Sequence, residues 1–492
     1  MLDHDYYDSY NLYISTAWWN ISKGYLFFIM SQRIYYYSTN RNLGGIPGLV
    51  PWKKTVSFRE ALLHGQAPDE GLFMPDPIPV IPIQSIMALR GTPYTRAAML
   101  VATAFLADEI PREVLEKIVA ESYNYPVPLE RVVDRKYIMR LDQGPTASFK
   151  DFAARMMARL MSYFRDPDTT LNVLVATSGD TGSAVGEAFK GVEGIDVYIL
   201  YPKGEVSGRQ KKQLDTIGEN VQAISVLGKF DDCQNLVKQA FSDPSFAAFN
   251  LTSANSINFG RILPQIIYYI YAYSQLAGGG EEIVFSVPSG NFGDALGCEY
   301  ARRMGLPVHR LVMPTNENNE FPRFLETGVY EKISPSRACL SSAMNVGHPS
   351  NLARFFDLYG GTVDRGGAVH RYPDINEMRR WIFSVSITDE ETKKTIRRAY
   401  DQYGILLEPH GAVGWRGLEV YLERYGDFPL CVSIETAHPA KFPDEIEGLL
   451  GISPELPDSM KGIDQKKGES FELSASYEKF KDYLRSNLKV RS

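Results

Sequence analysis

Cysteine is scarce in this chain, with four in 492 residues. Cys233, Cys298, Cys339 and Cys431 lie 65, 41 and 92 residues apart, which fits neither a zinc ribbon nor a CxxC redox pair, and four are too few for a disulfide scaffold. That usage fits a reducing cytoplasm, and no metal site is expected. Basic excess is missing as well: 52 Lys+Arg stand against 59 Asp+Glu, a formal net charge of −7. This argues against a broad surface that grips nucleic acid phosphates. The apolar run from Tyr25 to Met30 is six residues, far short of the roughly 20 that cross a bilayer, so no membrane association is expected. The chain opens on Asp3, His4, Asp5 and Asp8, not on the basic region of a secretory signal. Neither Gly-x-Gly-x-x-Gly nor a Walker Gly-Lys-Ser/Thr loop occurs, which disfavours dinucleotide and nucleoside triphosphate sites.

Aromatics, by contrast, are abundant, at 29 Tyr and 25 Phe. They cluster at the start as Tyr6-Tyr7, Trp18-Trp19, Phe27-Phe28 and Tyr35-Tyr36-Tyr37. Residues 1–29 show no sustained helical or strand period. Either these aromatics pack on the body, or the natural start is Met30, opening MSQRIYYYSTN; the missing period favours the second.

The length suits two to four domains at roughly 100–200 residues each. Phe58–His64 reads as a short amphipathic helix, and helical periodicity through Arg96–Ala107 and Arg112–Tyr123 suggests a helix-rich front subdomain. After Pro128 strands and helices alternate, which implies an α/β fold with mostly parallel sheets. The strand-like runs are Asn172–Ala176, Asp196–Leu200, Gln222–Val226, Glu282–Val287, Val308–Met313 and Leu430–Ile434. Gly278-Gly279-Gly280 reads as a hinge or surface turn. The tail from Pro454 reads as loosely attached until a helix near Tyr477–Leu488.

Five constellations carry the chemistry. In Leu141–Phe152 a Gly144-Pro145 turn precedes Lys150 at the start of a helix. A lysine there can form a Schiff base with a carbonyl once it loses its proton, a loss the positive helix terminus favours, though alone it reads first as a solvated surface residue. Val173–Ser183 runs an apolar strand into a small-residue loop, Ser178-Gly179-Asp180-Thr181, whose N–H groups suit an anion; ordinary capping explains it as well. Ile283–Asp294 repeats the design with Gly290-Asn291-Phe292-Gly293-Asp294, fitted to a phosphate monoester. Ser253–Arg261 offers Asn255, Ser256, Asn258 and Arg261, with the guanidinium free to clamp an anion. Glu435–Pro443 puts Thr436 and His438 beyond the last strand, where open α/β sheets bind ligands.

Together these stretches resemble threonine synthase, a fold-type-II pyridoxal-phosphate enzyme. The resemblance rests on SFREALLHG near 57, GPTASFKD at 144–151, ATSGDTGSA at 176–184, GKFDDCQ at 228–234, NSINFGRILPQ at 255–265, PSGNFGD at 288–294, TNENNEFPRFLETG at 315–328 and ETAHPAKFP at 435–443. It implies a tryptophan synthase β-like fold, with two open α/β lobes and an N-terminal subdomain. It implies the divisions 1–29 (extension), 30–130 (N-terminal subdomain), 131–165 with 262–450 (large cofactor lobe), 166–261 (small mobile lobe) and 451–492 (tail and helix). Lys150 would hold pyridoxal 5'-phosphate and shuttle protons, Gly290 to Asp294 would hold the cofactor phosphate, and Thr436 would face the pyridine nitrogen. Ser178, Gly179, Asp180 and Thr181 would surround the substrate's amino-acid end, and Ser256, Asn258 and Arg261 its phosphate. The implied reaction turns O-phospho-L-homoserine and water into L-threonine and phosphate, in a monomer or homodimer. A phospholyase yielding 2-oxobutyrate and a non-catalytic binder are the alternatives. One departure is Ser342, which stands where the family pattern has proline.

Overall fold

A computed structural model of the chain describes residues 33–44 and 49–489, with the backbone of two short strands, Ser15–Thr16 and Met30–Ser31, paired antiparallel. The expected start at Met30 turns on residues 1–29, which apart from that strand lie outside the described residues.

Two sheets organise the body. One has six strands in the order Ile382–Ser386, Val308–Thr315, Ile283–Ser286, Cys431–Glu435, Lys136–Arg140, Leu129–Val133. All neighbours run parallel except the last pair, an antiparallel hairpin. The other has five parallel strands in the order Leu251–Ser253, Leu171–Ala176, Ile195–Pro202, Val221–Leu227, Phe471–Ser474. Parallel strands covered on both faces read as continuous apolar runs, and Leu171–Ala176 and Ile195–Pro202 are buried at every position. The six strands expected from the sequence lie within two residues of their observed bounds. The hairpin and the strands at Leu251, Ile382 and Phe471 are not among them, being short, polar or rich in charge.

One expectation changes. The tail is not loosely attached: Phe471–Ser474 is the fifth strand of the smaller sheet, and Phe480 and Leu484 of the helix Tyr477–Asn487 are buried in its core. The signal was weak because FELS buries only Leu473. The front helices, expected as a subdomain, share the core of the body. One continuous core runs from Tyr36 through Ala97, Phe152 and Ile266 to Val432, because an amphipathic helix must find a partner for its apolar face. The Gly278–Gly280 run is a turn, tied by the Gly278 N–H to the Glu281 carboxylate at 2.7 Å.

Much of the aromatic excess serves this core. Phe152 is ringed by Tyr94, Tyr125 and Tyr268 at centroid distances of 5.3, 4.9 and 5.2 Å, all edge-on, an arrangement worth about 0.5–1.5 kcal/mol per pair beyond area burial. The collar sits two residues beyond Lys150 and makes its helix a rigid mount.

Candidate active site

A cavity of about 500 Å³ lies where both sheets present the carboxyl ends of their parallel strands. Lys150 enters it as the first residue of the helix Lys150–Phe164. Its approach is folded by the preceding motif. Thr146 donates through its hydroxyl and backbone N–H to the Asp151 carboxylate at 2.6 and 2.8 Å. A Cβ on Gly144 would stand 2.4 Å from that carboxylate, so only glycine fits there. The Phe149 backbone is pinned from both sides: its N–H donates to Thr436 O at 2.8 Å and its carbonyl accepts from the Tyr268 hydroxyl at 2.9 Å. Burial lowers the Lys150 pKa; Asp180 opposes this, while the cations of Lys441 and Arg261 add to it. The result is an amine moved toward its nucleophilic, neutral form.

One wall comes from the smaller sheet. Thr177 Oγ1 accepts from the N–H groups of Gly179 and Gly182 at 2.9 and 2.8 Å, which rounds the loop. Gly179 has φ +129, and a Cβ there would strike Gln210 at 2.6 Å. Asp180 lies 3.9 Å from Lys150 Nζ and 2.7 Å from Lys441 Nζ, and accepts from Gln210 at 3.0 Å. Burial alone would raise its pKa, but the two ammonium groups and these hydrogen bonds outweigh it and hold Asp180 ionised. Asn255, Ser256 and Arg261 complete the wall, with Asn255 anchored to Ala176 O at 2.9 Å. Arg261 is 4% exposed, its Nε and Nη1 have no hydrogen-bond partner, and it forms no ion pair among the described residues. Burial lowers its pKa to about 10, so it is charged at neutral pH. A buried cation without an anion is costly, and an anionic ligand removes that cost.

The second wall is the loop Gly290–Asp294 at the N-terminus of the helix Gly293–Arg303. Phe292 takes φ +63, and a Cβ on Gly290 would stand 2.9 Å from the backbone of Ala343 and Met344. The loop thus turns its backbone toward the cavity at a positive helix end, an anion cradle. Asp294 accepts from the Tyr269 hydroxyl at 2.6 Å, and its second oxygen is buried without a partner. Burial lifts its carboxyl to about 7, against the opposing effects of Tyr269 and Lys150, so it can stand protonated beside a phosphate. Thr436, beyond the strand Cys431–Glu435, also faces the cavity, and its hydroxyl makes no hydrogen bond among the described residues. These residues fit pyridoxal phosphate: an amine of lowered pKa for the aldehyde, a glycine cradle for the phosphate and a free hydroxyl for the ring nitrogen.

Of the expected residues, Lys150, Ser178, Asp180, Thr181, Ser256, Arg261, Gly290 to Asp294 and Thr436 line this one cavity. Gly179 shapes its loop from behind. Asn258 is the correction. It is fully buried, its amide donates to Leu62 O and Ser253 O, and its oxygen accepts from Gly260 N, so every polar atom is spent on the chain. Asn255 takes its place in the cavity. Sequence reasoning also missed Lys441 and Gln210, which hold Asp180, and His410, whose Nε2 accepts from the Ala343 N–H at 3.0 Å. Ser342 uses an N–H that proline lacks, donating to Leu340 O at 2.9 Å. Lys441 lies within the ETAHPAKFP stretch but its role is not legible there, and no local signal marks the other partners, which come from distant parts of the chain.

Comparison with known proteins agrees with this geometry. Residues 125–428 match the family model of pyridoxal-phosphate dependent enzymes, the class that a buried lysine facing a glycine phosphate loop defines. Residues 50–123 match the threonine synthase N terminus and residues 411–484 the threonine synthase C-terminal model. Threonine synthase from Haemophilus influenzae is 38% identical over 436 residues, covering 88% of this chain and 97% of that protein. The Escherichia coli threonine synthase is 38% identical over 406 residues, covering 82% and 90%. The crystal structure of PLP-bound threonine synthase from Brucella melitensis superposes with a TM-score of 0.82 at 33% identity, covering 93% of this chain and all of that one. The chain belongs to the threonine synthase family.

Proposed function

We propose that this enzyme converts O-phospho-L-homoserine and water to L-threonine and phosphate, with the residue roles set out below. The observation that carries the reading is the placement of Lys150 between a glycine phosphate cradle and the unpaired, buried guanidinium of Arg261. One cavity thus offers two anion seats, one for a cofactor phosphate and one for a substrate phosphate.

Lys150 would hold the cofactor by its aldehyde, the backbone of Gly290 to Asp294 its phosphate, and the Thr436 hydroxyl its ring nitrogen. When bound, pyridoxal phosphate supplies the electron sink that lets protons leave carbon. A hydroxyl partner tempers that sink compared with a carboxylate. Lys150 Nζ then moves the protons at Cα and Cβ, being the one depressed amine within reach. Ser178, Asp180 and Thr181 orient the amino-acid end. Arg261 and Ser256, with Asn255, neutralise the charge that grows as the Cγ–O bond breaks. Phosphate leaves, Cγ takes a proton to become the methyl group, and the oxygen of water bonds to Cβ. Closure of the lobe around 166–261 on the large lobe (131–165 with 262–450) keeps water out until phosphate has gone.

We further infer a cytoplasmic enzyme, since its four thiols are unpaired and buried, and, on the family resemblance alone, a monomer or homodimer; no helix among the described residues is long and apolar enough to cross a membrane. Incubation with O-phospho-L-homoserine tests the reading: threonine and phosphate are expected in equal amounts, and phosphate with 2-oxobutyrate but no threonine contradicts it.

A further inference from the structure

Arg354 is among the largest fully buried side chains, at 0% exposure, and among the described residues it pairs with no carboxylate. Its guanidinium instead holds four acceptors from three places in the chain. Nε donates to Phe73 O at 3.1 Å, Nη2 to Ile257 O at 2.7 Å, and Nη1 to Ser256 O at 3.0 Å and Asn351 Oδ1 at 2.5 Å. Asn351 passes the contact on, since its Nδ2 donates to Asn291 O at 3.0 Å, while the neighbouring Ser350 N–H donates to Asn291 Oδ1 at 3.3 Å. Ser256 and Asn291 both line the cavity, and the two segments meet there, since a Cβ on Gly293 would stand 3.5 Å from Ser256 Cβ. One planar fork therefore grips the backbone of the substrate-side segment directly and the cofactor-side loop through one amide.

We propose that Arg354 is a positioning residue that sets the two anion seats of the active site relative to each other, fixing Ser256-Ile257 against the loop Gly290–Asp294. The inference rests on the reading that these segments face the substrate phosphate and the cofactor phosphate. A lysine cannot replace the fork, because a single ammonium cannot meet consecutive carbonyls and a side-chain amide in one plane. A hydrophobic residue would leave the Ser256, Ile257 and Phe73 carbonyls buried without donors. Burial lowers the Arg354 pKa to about 10, which leaves it charged at neutral pH.

The test titrates apoenzyme with pyridoxal phosphate by absorbance and measures KM for O-phospho-L-homoserine in the loaded enzyme. Arg354→Gln should raise both the cofactor Kd and KM by about tenfold or more, and Arg354→Lys should recover only part of either. Leu418→Ala, a cavity in a core cluster that includes neither seat, serves as a control of matched Tm and should move each by less than about twofold. Arg354→Gln with a lowered Tm but Kd and KM both within about twofold of wild type overturns the proposal, as does a change in one constant alone. Should Arg354→Gln fail to fold, Asn351→Ala decides: cutting only the cofactor branch, it should raise Kd by about tenfold and leave KM within about threefold, and equal effects on both overturn the proposal. Ser256→Ala and Asn291→Ala probe the underlying reading separately. If Ser256→Ala raises KM and Asn291→Ala raises Kd while Arg354→Gln moves neither, the site reading stands and the Arg354 proposal falls. If both are silent, the site reading falls first and the proposal with it.

Discussion

The two walls of the cavity are built from the same unit, a parallel strand that runs into a small-residue loop and a helix, yet they solve anion binding differently. The wall on the five-stranded sheet uses fixed side-chain charge. Asp180 is locked between Lys441, Lys150 and Gln210, and Arg261 waits with two unpaired nitrogens. The wall on the six-stranded sheet carries no cation in its loop and relies on backbone N–H groups, a helix terminus and an acid lifted toward neutrality. A backbone cradle suits a phosphate that stays bound, because it is rigid and tied to the core. A guanidinium suits a phosphate that must leave, because its attraction strengthens as charge develops on the leaving oxygen. On the proposed reading, this difference gives the cofactor phosphate to one wall and the substrate phosphate to the other.

Removing the residue common to both walls gives the largest effect. Lys150→Ala should abolish the cofactor's lysine-bound absorbance and lower kcat by about a thousandfold or more; a visible spectrum unchanged from wild type would break the assignment. Arg261→Gln comes next and sharpens the contrast. It should lower kcat/KM by about 10²–10³-fold, the range of one removed charge-stabilising donor, while the cofactor Kd from titration stays within about threefold. An equal loss of cofactor affinity would mean that the walls do not divide the work. The smallest effect concerns Asp294→Asn in apoenzyme. With its carboxyl raised to about 7 by burial, the folded state holds a proton that the unfolded chain releases near about 3.9. Folded protein thus binds more protons across that window, and stability falls as pH rises through it to a minimum above about 7. Asparagine keeps the acceptor for Tyr269 and has no proton to lose. The Tm of the variant minus that of wild type should therefore grow by a few degrees between about pH 4.5 and 8; a flat difference contradicts the protonated carboxyl.

Much of this was legible in the sequence where local chemistry is self-contained. A strand such as Val173–Ala176 followed by Thr-Ser-Gly-Asp reads as a small-residue turn into a helix, and Gly144-Pro145 reads as a turn before Lys150, where the structure adds a close approach to Asp151. Legibility ended where function depends on partners far along the chain. Asn255 and Asn258 are indistinguishable as text, and only the fold turns the first to the cavity and the second to Leu62 and Ser253. Lys441 has no role legible in its motif, and the turn Pro439–Lys441 buries it against Asp180. The strand Phe471–Ser474 lacks an apolar run because it forms one edge of its sheet and buries only Leu473. Arg354 has no signature at all, since its acceptors are backbone carbonyls contributed by two other segments and a single nearby side chain.

The central claim is that the cavity breaks the Cγ–O bond and adds water at Cβ, and isotope-labelled water tests it most directly. Turnover of O-phospho-L-homoserine in oxygen-18 water should place the label in the hydroxyl of threonine and none in the released phosphate. Label in the phosphate, with homoserine as the organic product, would show cleavage of the P–O bond and contradict the account.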